Sequence, residues 1–455
     1  MHIFRKRPSS SFAKVQRDSL NYDSPDKGFE PDFSNYAHQW AQYAPFFSVE
    51  GEDGGLSNEV PQDCQINFVQ LISRHGARYP TTSKGKKLQA LIDKIQKGAT
   101  LSGDAAFLKD YKYELGTESL VSFGQQELVN SGIRFVQRYP ELSSGNEPFI
   151  RSTNSQRVME SANEFIKGFQ QARGQPTTGS SVPTIGTVVA NKAGTPNTLN
   201  HATCDKFEQT YRDYAKAAKK AYLPIMMPSI RTRLKDMIQN VDLADNEILE
   251  LMEMCSFETV AANADASTMS PFCDLFTESE WSEFEYVQSL VKWSAFGHGN
   301  PLGPTQGIGY LNELYARLTD TPVKNIASID QNLVNAKNFP LGRAIYLDFT
   351  HDNGMIPIFS ALGLYDVELD KTKMQSPADS GGFSSSWVVP FAARAYIERM
   401  ECCEDSYIRL IVNERVVPLK GCDVDDLGRC SEEDFLENTL AWARADGNWQ
   451  QCYTK

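Results

Sequence analysis

The run INFVQLIS at 66–73 is short and mostly apolar, the pattern of a buried strand. The segment KKLQALIDKIQK at 86–97 then places Leu88, Leu91, Ile92 and Ile95 on one face at helical spacing. The same order recurs twice. PFIR at 148–151 reads as a brief extended segment, followed by RVMESANEFIKGF at 157–169 with Val158, Ala162, Phe165, Ile166 and Phe169 in helical register. AIYLDFT at 344–350 reads as a strand and MIPIFSALGL at 355–364 as a helix. Three strand–loop–helix units of this kind predict an α/β sheet with one functional edge, at which the three loops converge and helix amino termini favour anions.

The pattern changes over 205–300. DKFEQTYRDYAKAAKKAY, IRTRLKDMIQN, DNEILELMEMCSF and ESEWSEFEYVQSLVKW are all helical in period. They predict a mostly helical domain at 205–300, inserted into an α/β domain formed by 33–204 and 301–455; the helix at 85–97 is a further candidate member of the insert. GHGNPLGPTQGIG at 297–309 reads as loop. YIRLIVNERVVPL at 407–419 predicts an edge hairpin turning at Asn413-Glu414. Residues 1–32 read as a polar tail.

Composition narrows the function. A net charge of −13 argues against a nucleic-acid binder, because a phosphate backbone is met by an excess of Lys and Arg. No apolar run approaches membrane-spanning length. The start of the chain is basic but lacks the apolar stretch of a signal peptide, and no Asn-x-Ser/Thr sequon occurs. The nine cysteines point instead to an oxidising compartment. Cys255 and Cys273 bracket one segment and Cys422 and Cys430 close a short loop, with no CxxC pair to suggest zinc. An odd count leaves one thiol over, placed at the adjacent Cys402-Cys403.

Against this acidic background, LISRHGARYPTTSKGKK at 71–87 gathers Arg74, His75, Arg78, Lys84, Lys86 and Lys87 directly after the first strand. Arginine stays charged and forks onto phosphate oxygens, so Arg74, Arg78 and Arg151 around one imidazole describe a dianion site. Their field keeps His75 neutral and nucleophilic. Asp352, beside His351 on the same edge, is placed to protonate a leaving alkoxide. Taken singly, a His-Asp pair is more often a helix cap, a lone arginine a solvated one, and a short lysine run a wet surface. The seven-residue Arg-His-Gly-x-Arg-x-Pro at 74–80 is more specific: by chance it turns up in roughly one chain of this length in ten thousand.

RHGARYP resembles the signature of the histidine acid phosphatases, and THDNG at 350–354 resembles their distal His-Asp motif. WAQYAPFFS, FGQQELVNSG, PFIRSTNSQRV and GNPLGPTQGIGYLNEL extend the resemblance, over about residues 33–453, toward the fungal-type phytases. The resemblance implies a mixed central sheet flanked by helices, with a helical domain. It implies His75 as nucleophile, Asp352 as proton donor, and Arg74, Arg78, Arg151 and His351 as phosphate ligands. Gln42, Lys84, Lys292 and Asn353 would face the rest of a polyanionic inositol phosphate. Disulfides Cys64–Cys402, Cys204–Cys452, Cys255–Cys273 and Cys422–Cys430 are implied, with Cys403 free. No cofactor and no metal is expected, and the chain is expected to be a secreted monomer whose partner is its small-molecule substrate. A broad-specificity acid phosphatase is the alternative.

Overall fold

The computed structural model describes residues 37–52, 55–262, 268–325 and 327–453. The polar tail expected at 1–32 lies outside the described residues. Eight strands form one sheet: β1 (Cys64–Arg74), β2 (Phe149–Thr153), β3 (Thr187–Val189), β4 (Ile345–Thr350), β5 (Arg394–Cys402), β6 (Asp405–Val412), β7 (Arg415–Val416) and β8 (Arg429–Ser431). Their order is β8-β6-β5-β1-β4-β2-β3, with β7 paired to β6. β1, β4, β2 and β3 run parallel, while β5 to β8 are antiparallel additions, so the sheet is mixed.

The helices are α1 (Thr82–Gly98), α2 (Ser122–Arg138), α3 (Gln156–Ala172), α4 (Asp205–Met237), α5 (Asp245–Ala262), α6 (Glu278–Phe296), α7 (Ile308–Thr319) and α8 (Asp352–Ala361). Alternation along β1 divides them between the two faces of the sheet. Val69 and Leu71 join Ile345, Leu347 and Phe349 in a core closed by α2 and α3. Phe68 and Ile72 point the other way, into a larger core shared with α1 and α4 to α8. Burial on both faces explains why β1 and β4 read as mostly apolar runs, in which Gln70 and Asp348 are buried and paired with each other.

All three predicted strand–loop–helix units are present, as β1–α1, β2–α3 and β4–α8. Their strands are neighbours, with Arg74 opposite Thr350 and Ser152 opposite Phe349, so the three carboxyl ends lie side by side. Elsewhere the structure corrects the sequence reading. The helical pattern broken at 222 is one helix to Met237, running through Pro224 and Pro228. Ile238–Gln239, read as helix, pairs as a short ribbon with Thr100–Leu101. The loop expected to 309 ends earlier, because α7 begins at Ile308. The hairpin turns at Asn413 and Glu414, whose φ of 48° and 70° match a turn twisted with its strands. Among the described residues its second strand, β7, pairs only with β6 and so lies at the sheet edge, while β6 itself lies between β5 and β8.

Four disulfides join Cys64–Cys402, Cys204–Cys452, Cys255–Cys273 and Cys422–Cys430. Cys403 is free and exposed. The first bridge follows from register, because Cys64 and Cys402 face each other across β1 and β5. Among the described residues, no helix is long and apolar enough to cross a membrane.

Candidate active site

The three loops meet at a cavity of about 310 Å³. Its lining includes Arg74, His75 and Arg78 after β1, Arg157 on α3, His351, Asp352 and Asn353 after β4, and Lys292 on α6. Gln42, Asn191, Asn200 and His201 complete the lining. Helices α1, α3 and α8 all begin at this rim: Thr81 caps α1, Arg157 lies in the first turn of α3, and Asp352 opens α8.

His75 is held by its backbone and its ring. Its N–H donates to Thr350 O at 3.2 Å and its carbonyl accepts from Ala392 N at 3.0 Å. Ring Nδ1 lies 2.8 Å from Gly76 O. A carbonyl oxygen can only accept, so this bond puts the ring proton on Nδ1 and leaves the Nε2 lone pair free. Burial, with the fields of Arg74, Arg78 and Arg157, holds the imidazole well below its ordinary pKa of 6.5. The ring is therefore neutral even in acid.

The turn carrying His75 fits against α2. A Cβ on Gly76 would come within 2.2 Å of Gly124 O, and one on Gly124 within 2.0 Å of Ala77 O. Only glycine permits that approach at either place. Glu127 on α2 accepts from Ala77 N at 2.8 Å and from Phe46 N at 2.9 Å, which ties the turn to the segment carrying Gln42.

Arg74 is buried, and its Nη1 donates to the carbonyls of Gln42 and Val389. Its Nη2 lies 3.4 Å from Asp352 Oδ2, and Lys292 Nζ is 2.6 Å from that same oxygen. Burial disfavours the Asp352 carboxylate, but Arg74 and Lys292 outweigh it and hold the group well below the usual carboxylate range. Lys292 also donates to Asn353 Oδ1 at 2.6 Å. Burial lowers the Lys292 pKa despite Asp352. Burial and then Arg157 push His351 down to about 3, so it too is neutral, with its ring edge-on to His75 at 5.5 Å.

Four nitrogens around this cavity are buried without a partner among the described residues: Nε of Arg74, Arg78 and Arg157, and Nδ1 of His351. The three guanidinium nitrogens are donors, and His351 Nδ1 is one in the Nδ1–H tautomer; buried donors left unpaired are costly, and an oxyanion is the kind of ligand that pairs with them.

Two expected site residues are elsewhere. Arg151 does not line the cavity. Its Nε donates to Asp348 Oδ1 at 2.8 Å, and its Nη2 donates to Asp348 Oδ2 at 2.9 Å and Glu313 Oε2 at 2.8 Å. The reason is register: β2 continues to Thr153, so Arg151 lies within the strand and its side chain stands on the sheet face toward α7, not beyond the strand end. Lys84 is turned to α5, where Glu253 Oε2 is 2.5 Å away and Glu250 Oε1 3.9 Å. Arg157, which the sequence reading passed over, takes the position expected for Arg151. Its signal was available, since residues at such an edge come from the loop and first helical turn. Asn191, Asn200 and His201 carried no periodic signal. They sit on a loop anchored by Thr198 Oγ1 to Glu313 at 2.8 Å and by Thr350 to Leu199 O.

Comparison with known proteins agrees with this geometry. The family model of the histidine phosphatase superfamily (branch 2) matches residues 65–413. Phytase A of Aspergillus fumigatus is 47% identical over 452 residues, covering 98% of this chain and 96% of its own. Phytase A of Aspergillus awamori is 46% identical over 449 residues, covering 96% and 95%. The crystal structure of the phytase from D. castellii superposes with a TM-score of 0.72 at 25% identity, covering 92% of this chain and 88% of that one. The Bifidobacterium longum multiple inositol polyphosphate phosphatase, in complex with inositol hexasulfate, shares the fold at a TM-score of 0.60 and 13% identity, covering 85% and 94%.

Proposed function

Because the chain belongs to the histidine phosphatase superfamily (branch 2), we propose that it hydrolyses phosphate monoesters of myo-inositol hexakisphosphate through a phosphohistidine. The observation that carries this reading is the set of unpaired donors on Arg74, Arg78, Arg157 and His351 around a neutral imidazole with a free Nε2. The ester phosphate takes those donors. His75 Nε2 attacks phosphorus, the ester P–O bond breaks, and the leaving alkoxide takes a proton from Asp352. Water then attacks phosphorus, the P–N bond breaks, Asp352 recovers the proton, and inorganic phosphate leaves. The loose transition state places its charge on equatorial oxygens, where cations act most strongly. Asp352 is ionised in the free site, so the incoming dianion must offset Arg74 and Lys292 before it can carry that proton.

In this reading α1 and α4 to α6 act as the helical unit beside the sheet domain, and Gln42, Lys292 and Asn353 meet the remaining substrate. The four disulfides support an oxidising, extracellular setting, and the closed site needs no second copy of the chain. One observation favours the broad acid phosphatase: Lys84 is taken up by Glu253 and offers less to a second phosphate. Phosphate release from phytate and from an aryl phosphate, compared at about pH 5 with a chelator present, separates the two readings. We expect phytate to be preferred and His75→Ala to lose at least about a thousandfold in kcat on both. Equal or better aryl turnover overturns the phytase reading, and activity retained by His75→Ala overturns the phosphohistidine.

A further inference from the structure

We infer that Glu285, which does not line the catalytic cavity, is a positioning residue that sets Arg74 and His75 in register with Lys292 and Asp352. The inference rests on the phosphatase reading above. Glu285 lies on α6 and is 8% exposed. Its Oε1 accepts from Ser384 Oγ at 2.6 Å, Ser289 Oγ at 2.9 Å and Ser386 N at 3.2 Å. Ser289 Oγ accepts in turn from Ser385 N at 2.8 Å. Glu285 and Ser289 thus take up the amides that open the single helical turn Ser385–Val388.

What leaves that turn runs straight along the nucleophile. Val389 O accepts from Arg74 Nη1 at 2.7 Å, and the Phe391 ring lies 4.7 Å from the Arg74 guanidinium. Ala392 N donates to His75 O at 3.0 Å, and Ala393 O accepts from Arg74 N at 2.8 Å. Two turns along α6 from Glu285, Lys292 holds Asp352. The nucleophile half of the site therefore hangs on the 384–393 segment and the proton-donor half on α6. The Glu285 clamp joins them directly. The leading groups acting on this carboxylate are Ser384, Ser386 and Ser289, and its Oε2 has no hydrogen-bond partner among the described residues.

The test compares wild type with Glu285→Ala, Ser384→Ala and Glu285→Gln. It reads kcat, KM and the pH profile on phytate and an aryl phosphate, calorimetric affinity for inorganic phosphate, and thermal midpoint. Glu285→Ala is expected to lose about tenfold in kcat and several-fold in phosphate affinity. Loosening Arg74 from Asp352, which also faces Lys292 and His75, raises the Asp352 pKa, so the alkaline limb of kcat moves up in pH. Ser384→Ala moves the same readouts less, and it carries the test if Glu285→Ala does not fold. Glu285→Gln keeps an acceptor oxygen and recovers most of kcat. A folded Glu285→Ala with wild-type kcat, pH profile and phosphate affinity overturns the inference, even if its midpoint falls. If wild type turns over neither substrate, the functional reading fails, and the phosphate affinities of the variants still decide this one. A wild type that also fails to bind phosphate overturns both.

Discussion

Two arginine clusters lie close together in this chain and behave oppositely. Arg151 and Arg317 face Asp348 and Glu313 between the sheet and α7, two cations to two carboxylates. In the cavity, Arg74, Arg78, Arg157 and Lys292 face one lining carboxylate, Asp352. The first cluster is balanced in charge by its own side chains and holds β2, β4 and α7 together, although Nε and Nη2 of Arg317, packed over the Phe339 and Tyr346 rings, also lack a hydrogen-bond partner among the described residues. The second keeps a surplus of positive charge around an open cavity, even though Glu118, outside the lining, takes one arm of Arg157 at 3.0 Å. Charge surplus around a cavity, rather than arginine as such, marks the site.

The sharpest test of the surplus is its single carboxylate. Asp352→Asn should lower kcat on phytate by about 10²–10⁴-fold, and much less on an aryl phosphate, whose leaving group needs no proton. Equal losses on both would break the proton-donor assignment. Next comes the contrast itself. Arg157→Ala should lower kcat/KM by about 10²–10³-fold with little change in stability. Arg151→Ala should leave kcat/KM per folded molecule within a few-fold while losing about 3–5 kcal/mol of stability, measured by urea unfolding. If the two variants exchange these effects, the assignment of Arg157 over Arg151 fails.

The balanced cluster also has a pH signature. Burial raises the Asp348 pKa, but Arg151 and Arg317 outweigh it and bring it to about 2. A carboxylate depressed in the folded state adds stability above its ordinary pKa, and that stability is lost as pH falls toward the folded value. Urea midpoints of wild type and Asp348→Asn should therefore differ at pH 5 and converge between about pH 4 and pH 2. The smallest effect is expected at Lys84, whose charge is spent on Glu253. Lys84→Ala should change KM for phytate by no more than about threefold. A larger change would restore it to the substrate rim.

β1 and β4 were legible because burial on both faces left them mostly apolar, with buried Gln70 and Asp348 too few to hide the pattern. Other elements were hidden by paired polar residues. β5 contains Glu398, buried and bound by Arg138 and Arg409, so its charges masked a central strand. Along α2, Glu127, Asn130 and Ser131 are buried and interrupt the apolar stripe that would have announced a helix. The helical segments read separately on either side of 223–229 are one helix, which packing of α4 against α6 carries through Pro224 and Pro228. The motif residues Arg74, His75, Arg78, His351 and Asp352 all line one cavity, because loop and first-turn positions are close in sequence. Arg151 was misplaced for want of one fact, the true end of β2, which sequence marks to within a few residues.

The contact of Gly76 and Gly124 has a consequence for anyone who would alter this protein. The turn that bears His75 is cast against α2 with no room for a methyl group on either side. Mutational tolerance around the cavity should therefore divide sharply. Libraries spanning 75–78, 124 and 127 will be nearly barren, whereas the wall of Asn191, Asn200 and His201 can be diversified without disturbing that mould. The packed turn and that wall thus lie in separate stretches of the chain, and the second can be varied while the first stands still.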